Sequence, residues 1–503
     1  MKLKVRTVEL YAKFPTVLLN PSLQFKLGIH EGGRLKIERD GRWIVATTYL
    51  SNDISSLNIG IPKILQGELK VKPGQYVEVN YTPPPKSVDY IRSRLKGAKL
   101  GKEEYLEIVR SIVGGSLTDV ELTAFILSQY SNRMSLEEVK YLTEAMVSTG
   151  VKVDFNRPVY DKHSIGGVPG NKVTLLIVPI IAAAGLLIPK TSSRAITSPS
   201  GTADTMEVLA DVEFTPNEFK EIAQKVGGCI IWGGKLGFSP ADDIIISRVE
   251  HPLDIDPESQ MLASILSKKL AVGADFLVID IPTGKGAKVE TLDEARDLSA
   301  KFTELGRMLG IRIICGVTYG SQPVGHAIGP ALEAKEALEA LMGGGPHSLK
   351  EKSTALAGIL LEMAGLASRG NGKDVADELL NSGKALQKMR EIIEAQGGDP
   401  NVKPEDLPIG EYKATLYAPC DGYIAEVSNF AVSAVAKAAG APTDKGAGVL
   451  LKGKRGYVVE KGDPIMEIYA EYESKLEVAY NLALKLQPVT VEGMLLHRFP
   501  DSI

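Results

Sequence analysis

Two polar loops flank one long apolar segment between Asp161 and Asp204, and both loops carry side chains suited to holding an anion. Lys162, His163 and Ser164 precede Gly166-Gly167-Val168-Pro169-Gly170, and an apolar run beginning with Val173-Thr174 follows over 173–185. Glycines let a backbone approach a ligand closely, and the unpaired amides that open a helix favour negative charge, most often a phosphate. A lysine supplies a point charge and hydroxyls fix individual oxygens, so Lys162, Ser164 and Thr174 are candidate phosphate ligands, with Gly167 a close backbone contact. The second loop, Ser193-Arg194-Ala195-Ile196-Thr197-Ser198 followed by Ser200-Gly201-Thr202, offers hydroxyls and one guanidinium. Each feature alone has a plainer reading: a solvated loop lysine, a glycine turn, a serine-rich surface loop. Two such loops about thirty residues apart, each beside an apolar segment, point instead to one anion site on neighbouring turns of an α/β sheet.

The elements that must position these loops follow from the pattern around them. Beyond Val153, β-like runs alternate with helical ones. The runs LLIP, CIIW, DFLVIDI and IRIICGV read as parallel strands buried on both faces, giving a central mixed or parallel α/β domain over 156–240 and 271–400. From 86 to 155 the periodicity is helical, with Ser135-Leu136-Glu137-Glu138 a capping box and Leu122, Phe125 and Ile126 an apolar face. A further helical piece over 241–270 is expected to pack with it as one lobe. The first 84 residues contain a repeat: Leu27-x-Ile29-x-x-Gly32-x-x-Leu35-x-Ile37 returns as Leu69-x-Val71-x-x-Gly74-x-x-Val77-x-Val79. Each copy reads as strand–turn–strand, and the pair predicts a small closed β-barrel of double-psi type that leaves no open edge. Pro83-Pro84-Pro85 then stiffens the exit. Over 401–503 the phrases APCDGYI and VEKGDPI resemble the halves of a barrel-sandwich module, which predicts an α+β C-terminal domain. Asp444-Lys445 lies between the halves, but without the flanking pattern of a cofactor-carrying hairpin, so a structural domain is expected rather than a swinging arm.

Composition narrows the function further. At 503 residues the chain needs several cores, and 44% hydrophobic with 24% charged residues describes an ordinary globular protein. The net charge of −4 argues against a global grip on nucleic acid or on an anionic membrane, so any phosphate must be held locally. Cys229, Cys315 and Cys420 share no disulfide or metal-ligand spacing, and no His/Cys/Asp/Glu constellation has zinc spacing. The start MKLKVRTVELY lacks a signal-peptide core, and the longest apolar run is interrupted by Pro179 and Gly185. A cytoplasmic location is expected.

The order Lys-His-Ser-x-Gly-Gly, then a Ser-x-Arg loop ending in Gly-Thr, resembles the thymidine and pyrimidine-nucleoside phosphorylases. Ile246-Ser247-Arg248, Ala263-Ser264-Ile265-Leu266-Ser267-Lys268-Lys269 and Gln322-Pro323-Val324-Gly325-His326-Ala327-Ile328-Gly329 extend the match from about Pro84 onward. Three departures stand out: Gly-Gly-Val-Pro-Gly-Asn-Lys in place of a shorter glycine loop, hydroxyl side chains in a second loop that is usually glycine-rich, and about eighty extra N-terminal residues. These departures resemble the archaeal AMP phosphorylases. The resemblance implies phosphorolysis of AMP, and of CMP and UMP, to free base and ribose 1,5-bisphosphate. Such a reaction must hold phosphate beneath the anomeric carbon, tolerate positive charge on the sugar and protonate the departing base; positioning and fixed dipoles carry it without a metal or cofactor.

The resemblance also implies roles. Lys162, Ser164 and Thr174 hold inorganic phosphate; Ser193 through Ser198, with Gly167, Thr202, Ser264 and Lys288, hold the nucleotide; Arg248 and Lys268 recognise the base. Arg194 could equally be structural, and Lys285 competes with Lys288. Asp256, ahead of Pro257, reads as a helix cap or as a general acid, since a carboxylic acid shielded from water can protonate a leaving base; the resemblance favours the acid. The implied partners are a nucleoside monophosphate, phosphate and further copies of the chain assembled through the N-terminal domain. A thymidine or pyrimidine-nucleoside phosphorylase is the alternative activity. A phosphoribosyltransferase would need an acidic pair for magnesium, and a non-enzymatic carrier would leave both loops unexplained.

Overall fold

The computed structural model describes residues 1–12, 15–195 and 198–494. It divides into two compact units, Met1–Thr149 with Ser239–Ser264, and Gly150–Phe238 with Ile265–Ile503.

The first unit opens with a closed six-stranded barrel. Two of its pairings are parallel, Lys2–Val8 with Asn58–Pro62 and Thr16–Leu19 with Arg42–Leu50, and the others are antiparallel. The sequence repeat is present but differs in kind from the expected strand–turn–strand. In each copy the first half is the end of a short helix, Gln24–Leu27 or Lys63–Leu69, closed by a left-handed residue, Gly28 or Lys70. The following apolar residue then donates back into the helix, Ile29 to Gln24 and Val71 to Gln66. Strands Arg34–Arg39 and Tyr76–Tyr81 come after the turn. Alternating burial of Ile29, Leu35 and Ile37, or Val71, Val77 and Val79, produced the period-two signal without a strand in the first half. Four helices follow, Lys86–Leu95, Lys102–Val113, Asp119–Ser131 and Leu136–Ser148, the last capped by Ser135 as its capping box predicts. A buried Arg94–Glu138 pair at 3.0 Å ties the first of them to the last. Residues 239–264 pack against this bundle.

The second unit is built on a parallel sheet. Arg312–Tyr319, Phe276–Thr283 and Tyr160–Ser164 form one run, and Ile188–Ser192 with Gly228–Trp232 the other. A parallel bridge between Val159 and Leu187 joins the two runs. Chain order reverses between Tyr160–Ser164 and Phe276–Thr283, the position where open α/β sheets bind ligands. Tyr160–Ser164 carries the least apolar stretch of the sheet, YDKHS, and its period-two pattern gave no strand signal. Arg312–Tyr319 was expected to be buried on both faces, yet Ile314, Val317 and Tyr319 are exposed because it is the edge strand. Thr174–Ala183 is apolar all round, and it is correspondingly buried all round against helices His347–Met363, Gly372–Asn381 and Lys384–Ala395.

A four-stranded and a three-stranded sheet, with helices Asn429–Ala438 and Glu473–Leu486, complete this unit. The four-stranded sheet borrows Ala327–Ile328 from the Gln322–Gly329 motif as one edge. Lys445 is ion-paired with Glu207 at 2.7 Å and Asp204 at 3.3 Å, an anchored side chain rather than a swinging one. Among the described residues no helix is long and apolar enough to cross a membrane.

Candidate active site

The glycine loop leaves the carboxyl end of Tyr160–Ser164, at the reversal of the sheet. Gly166, Gly167 and Gly170 all take positive φ. Gly167 has a second reason to lack a side chain: a Cβ there would lie 2.7 Å from the amide nitrogen of Lys288. Gly170 is packed in the same way against the carbonyls of Val324 and Ala327. Buried Lys172 donates to both those carbonyls and pairs with Glu336 at 2.6 Å. Three sequence motifs far apart in the chain are thereby fixed around one loop.

Strand alternation sorts the polar residues beside it. Lys162 and Ser164 share a face with Asp280, their neighbour on Phe276–Thr283. Lys162 is not a loop residue: it stands in the strand, 2% exposed, with Nζ 3.4 Å from the Thr174 hydroxyl. Burial pushes its ammonium down to about 8, against the opposing pull of Asp280. Asp280 is fully buried and accepts from Ser164, from Thr318 at 2.6 Å and from Asn171 at 3.2 Å, with Lys352 Nζ 3.1 Å away. Burial works to raise its carboxyl, but Lys352, Lys162 and the hydroxyl donors outweigh that and hold it below the ordinary range. Two lysines face one aspartate on this side of the sheet.

Asp161 and His163 point to the other face. Asp161 accepts from Lys269 at 2.6 Å, with Lys190 at 3.9 Å. Burial, then the charge of Lys269, drives His163 and Lys190 well below their ordinary values. Four buried lysines, Lys162, Lys190, Lys269 and Lys352, thus stand against two buried aspartates, Asp161 and Asp280.

The second loop leaves the carboxyl end of the adjacent strand, Ile188–Ser192. Ser193, Arg194, Ala195 and Ser198 are placed there and Thr202 opens the short helix Thr202–Met206; Ile196 and Thr197 lie outside the described residues. Arg194 is engaged by carboxylates, Glu207 at 2.6 Å through both amino groups and Glu213 at 3.1 Å, and it stacks over Trp232. These contacts are the ones that the structural reading of Arg194 expects.

The remaining candidates belong to the first unit or to the helix leaving it. Arg248 donates through Nε to Asp119 at 2.5 Å. Ser264 donates to buried Asp242 at 2.9 Å, which also accepts from Gln260. Lys268 follows Ser264 by one turn of Glu258–Ala271. Asp256 is exposed two residues ahead of that helix, and its amide donates to the Tyr130 hydroxyl. Met261 donates to the Pro257 carbonyl one residue beyond Asp256, so Asp256 lies at the start of this helix, where both the cap and the acid reading place it.

Models of three families match in chain order: a glycosyl transferase helical bundle domain over 88–150, a glycosyl transferase a/b domain over 156–386 and a pyrimidine nucleoside phosphorylase C-terminal domain over 423–489. The AMP phosphorylase of Thermococcus kodakarensis is 50% identical over 500 residues, covering 99% of each chain. The chain belongs to the AMP phosphorylase family. Relatives of the same name from Pyrococcus furiosus and Methanosarcina mazei are 48% and 49% identical, each over at least 99% of both chains. The fold is also that of anthranilate phosphoribosyltransferase from Thermus thermophilus, with a TM-score of 0.52 over 61% of this chain and 99% of the other at 21% identity. This family membership accounts for the glycosyltransferase architecture of multidomain α/β type, with a helical bundle and an N-terminal barrel in addition.

Sequence reading missed Asp280, Asp161, Lys190, Lys269 and Lys352. Two of them had a signal: an aspartate inside DFLVIDI and another inside VYDKHS interrupt strands, and a buried carboxylate needs partners. Lys190 and Lys352 had none, since each pairs with an aspartate remote in sequence, and Lys269 was visible only as the end of the 263–269 motif.

Proposed function

We propose that this protein is a nucleoside 5′-monophosphate phosphorylase that converts AMP, CMP or UMP and phosphate to free base and ribose 1,5-bisphosphate. The observation that carries the reading is the buried cationic set around Lys162, Ser164 and Thr174 at the reversal of the sheet. Inorganic phosphate is held there, with Gly167 and the backbone beside Lys288 closing the loop around the nucleotide. A phosphate oxygen forms a bond to C1′ as the C1′–N bond of the base breaks, and Asp256 delivers the proton that the leaving base takes up. The loop from Ser193 to Ser198, with Thr202, takes the 5′-phosphate; Arg194 shapes that loop rather than binding the anion. Arg248, Ser264 and Lys268 receive the base. No metal or cofactor takes part. Incubation with AMP and phosphate should release adenine at a rate untouched by a chelator. Adenosine should be turned over far more slowly. Equal use of adenosine or thymidine would reassign the protein to nucleoside phosphorolysis, and recovery by magnesium after chelation would favour a transferase.

The N-terminal barrel serves assembly, a role supported by its exposed Phe25, Leu57 and Ile64. Removing the residues before Pro83 should lower the particle mass measured by light scattering; an unchanged mass would count against the role.

A further inference from the structure

One carboxylate closes the second loop. Asp204 Oδ2 accepts the Ala195 amide at 2.7 Å and the Gly201 amide at 3.0 Å, so both ends of the 195–201 segment hang from a single oxygen. The ends touch: a Cβ on Gly201 would lie 2.6 Å from the Ala195 nitrogen. The other oxygen, Oδ1, meets Lys445 Nζ at 3.3 Å and Arg194 Nη1 at 3.5 Å. Asp204 is buried, and Lys445 reaches it from the 439–446 turn while pairing with Glu207. The loop is therefore clasped at its base by one aspartate whose charge is matched from a distant part of the chain.

We infer that Asp204 is a positioning residue for the 5′-phosphate of the substrate and that Lys445 supports it. The inference rests on the assignment of this loop to the 5′-phosphate. A loop whose two ends are already held together loses less conformational entropy on binding, so the clasp adds to affinity without touching the substrate. Its effect must fall on AMP and spare inorganic phosphate, which is held by the separate group around Lys162. Asparagine at 204 offers one oxygen and an NH₂ group. It can satisfy the two amides or the two cations, but not both sets.

The test is steady-state kinetics on the full chain with Asp204→Asn and Lys445→Met, varying AMP and phosphate separately, with amide hydrogen exchange over the Ala195 and Gly201 peptides. For Asp204→Asn we expect KM for AMP to rise about tenfold, the equivalent of one lost charged hydrogen bond. KM for phosphate should stay within about twofold, and exchange at both amides should quicken. Lys445→Met should move KM for AMP in the same direction by about threefold, as befits a partly exposed pair. If Asp204→Asn fails to fold, Lys445→Met decides alone. Equal rises in both KM values, or an unchanged KM for AMP in a folded variant, overturn the clasp. Ser193→Gly with Ser198→Ala in the same assay separates the two levels. If that variant raises KM for AMP while Asp204→Asn and Lys445→Met do not, the clasp fails and the loop assignment stands. If it leaves KM for AMP unchanged, the loop assignment fails and the clasp with it.

Discussion

Asp256→Asn is expected to keep the fold and the thermal midpoint while turnover of AMP falls by on the order of 10²–10⁴, the usual contribution of general acid assistance. An adenine anion is a poor leaving group at neutral pH, so a positioned proton lowers the barrier at the step where charge develops on the base. The alternative role, a helix cap, makes the opposite forecast. Asparagine caps about as well as aspartate, so a capping residue would tolerate the change. The Asp256 amide donates to the Tyr130 hydroxyl, a backbone bond that either side chain leaves in place. Asp256→Ala sharpens the contrast. An acid loses turnover in both variants, whereas a cap loses about 1 kcal/mol of stability in the alanine variant alone. KM for AMP should change little, since the interaction is made in the transition state. Near wild-type turnover in Asp256→Asn would leave the residue without a chemical role.

What could be read in the sequence was whatever is local. The glycines of 166–170 announce a loop because their φ values exclude other residues, and Ser135 with Glu138 announces a helix start because both bonds close within four residues. The N-terminal repeat is equally local, but a helix end followed by a turn buries apolar residues two apart as a strand does, and periodicity alone does not separate them. The strand that carries Lys162 was invisible for the opposite reason. Its side chains are polar because both faces meet charged partners: Lys352 reaches Asp280 on one side, and Lys269 reaches Asp161 on the other. Those partners come from helices a hundred or more residues further along the chain from Lys162. Tertiary contact decides which lysine pairs with which aspartate, and spacing does not encode it. The same holds for Asp204, which looks like an ordinary helix-start acid until the fold brings Lys445 to it.

The second large effect concerns Lys162 and has a pH signature. The ammonium is buried beside Thr174 and titrates at about 8 instead of 10.5, so it carries its charge below that point and loses it above. With the neutral amine, the site loses one of the two lysines that face Asp280. The catalytic efficiency toward phosphate, which reports free-enzyme groups, should therefore bend downward as pH rises through about 8. Lys162→Arg should remove that limb, because a guanidinium stays charged throughout the range. Lys162→Ala should lower efficiency toward phosphate by on the order of 10²-fold and affect KM for AMP much less, since it deletes one charge from a buried polar set. Linkage supplies the control against simple alkaline unfolding. Between about 8 and 10.5 the unfolded lysine holds a proton that the folded one has released, so this group's contribution to stability rises with pH across the window. Activity with phosphate and this increment of stability must then move in opposite directions. A thermal midpoint that falls together with efficiency above pH 8, in wild type and in Lys162→Arg alike, would show that the limb is unfolding and that Lys162 does not carry the phosphate.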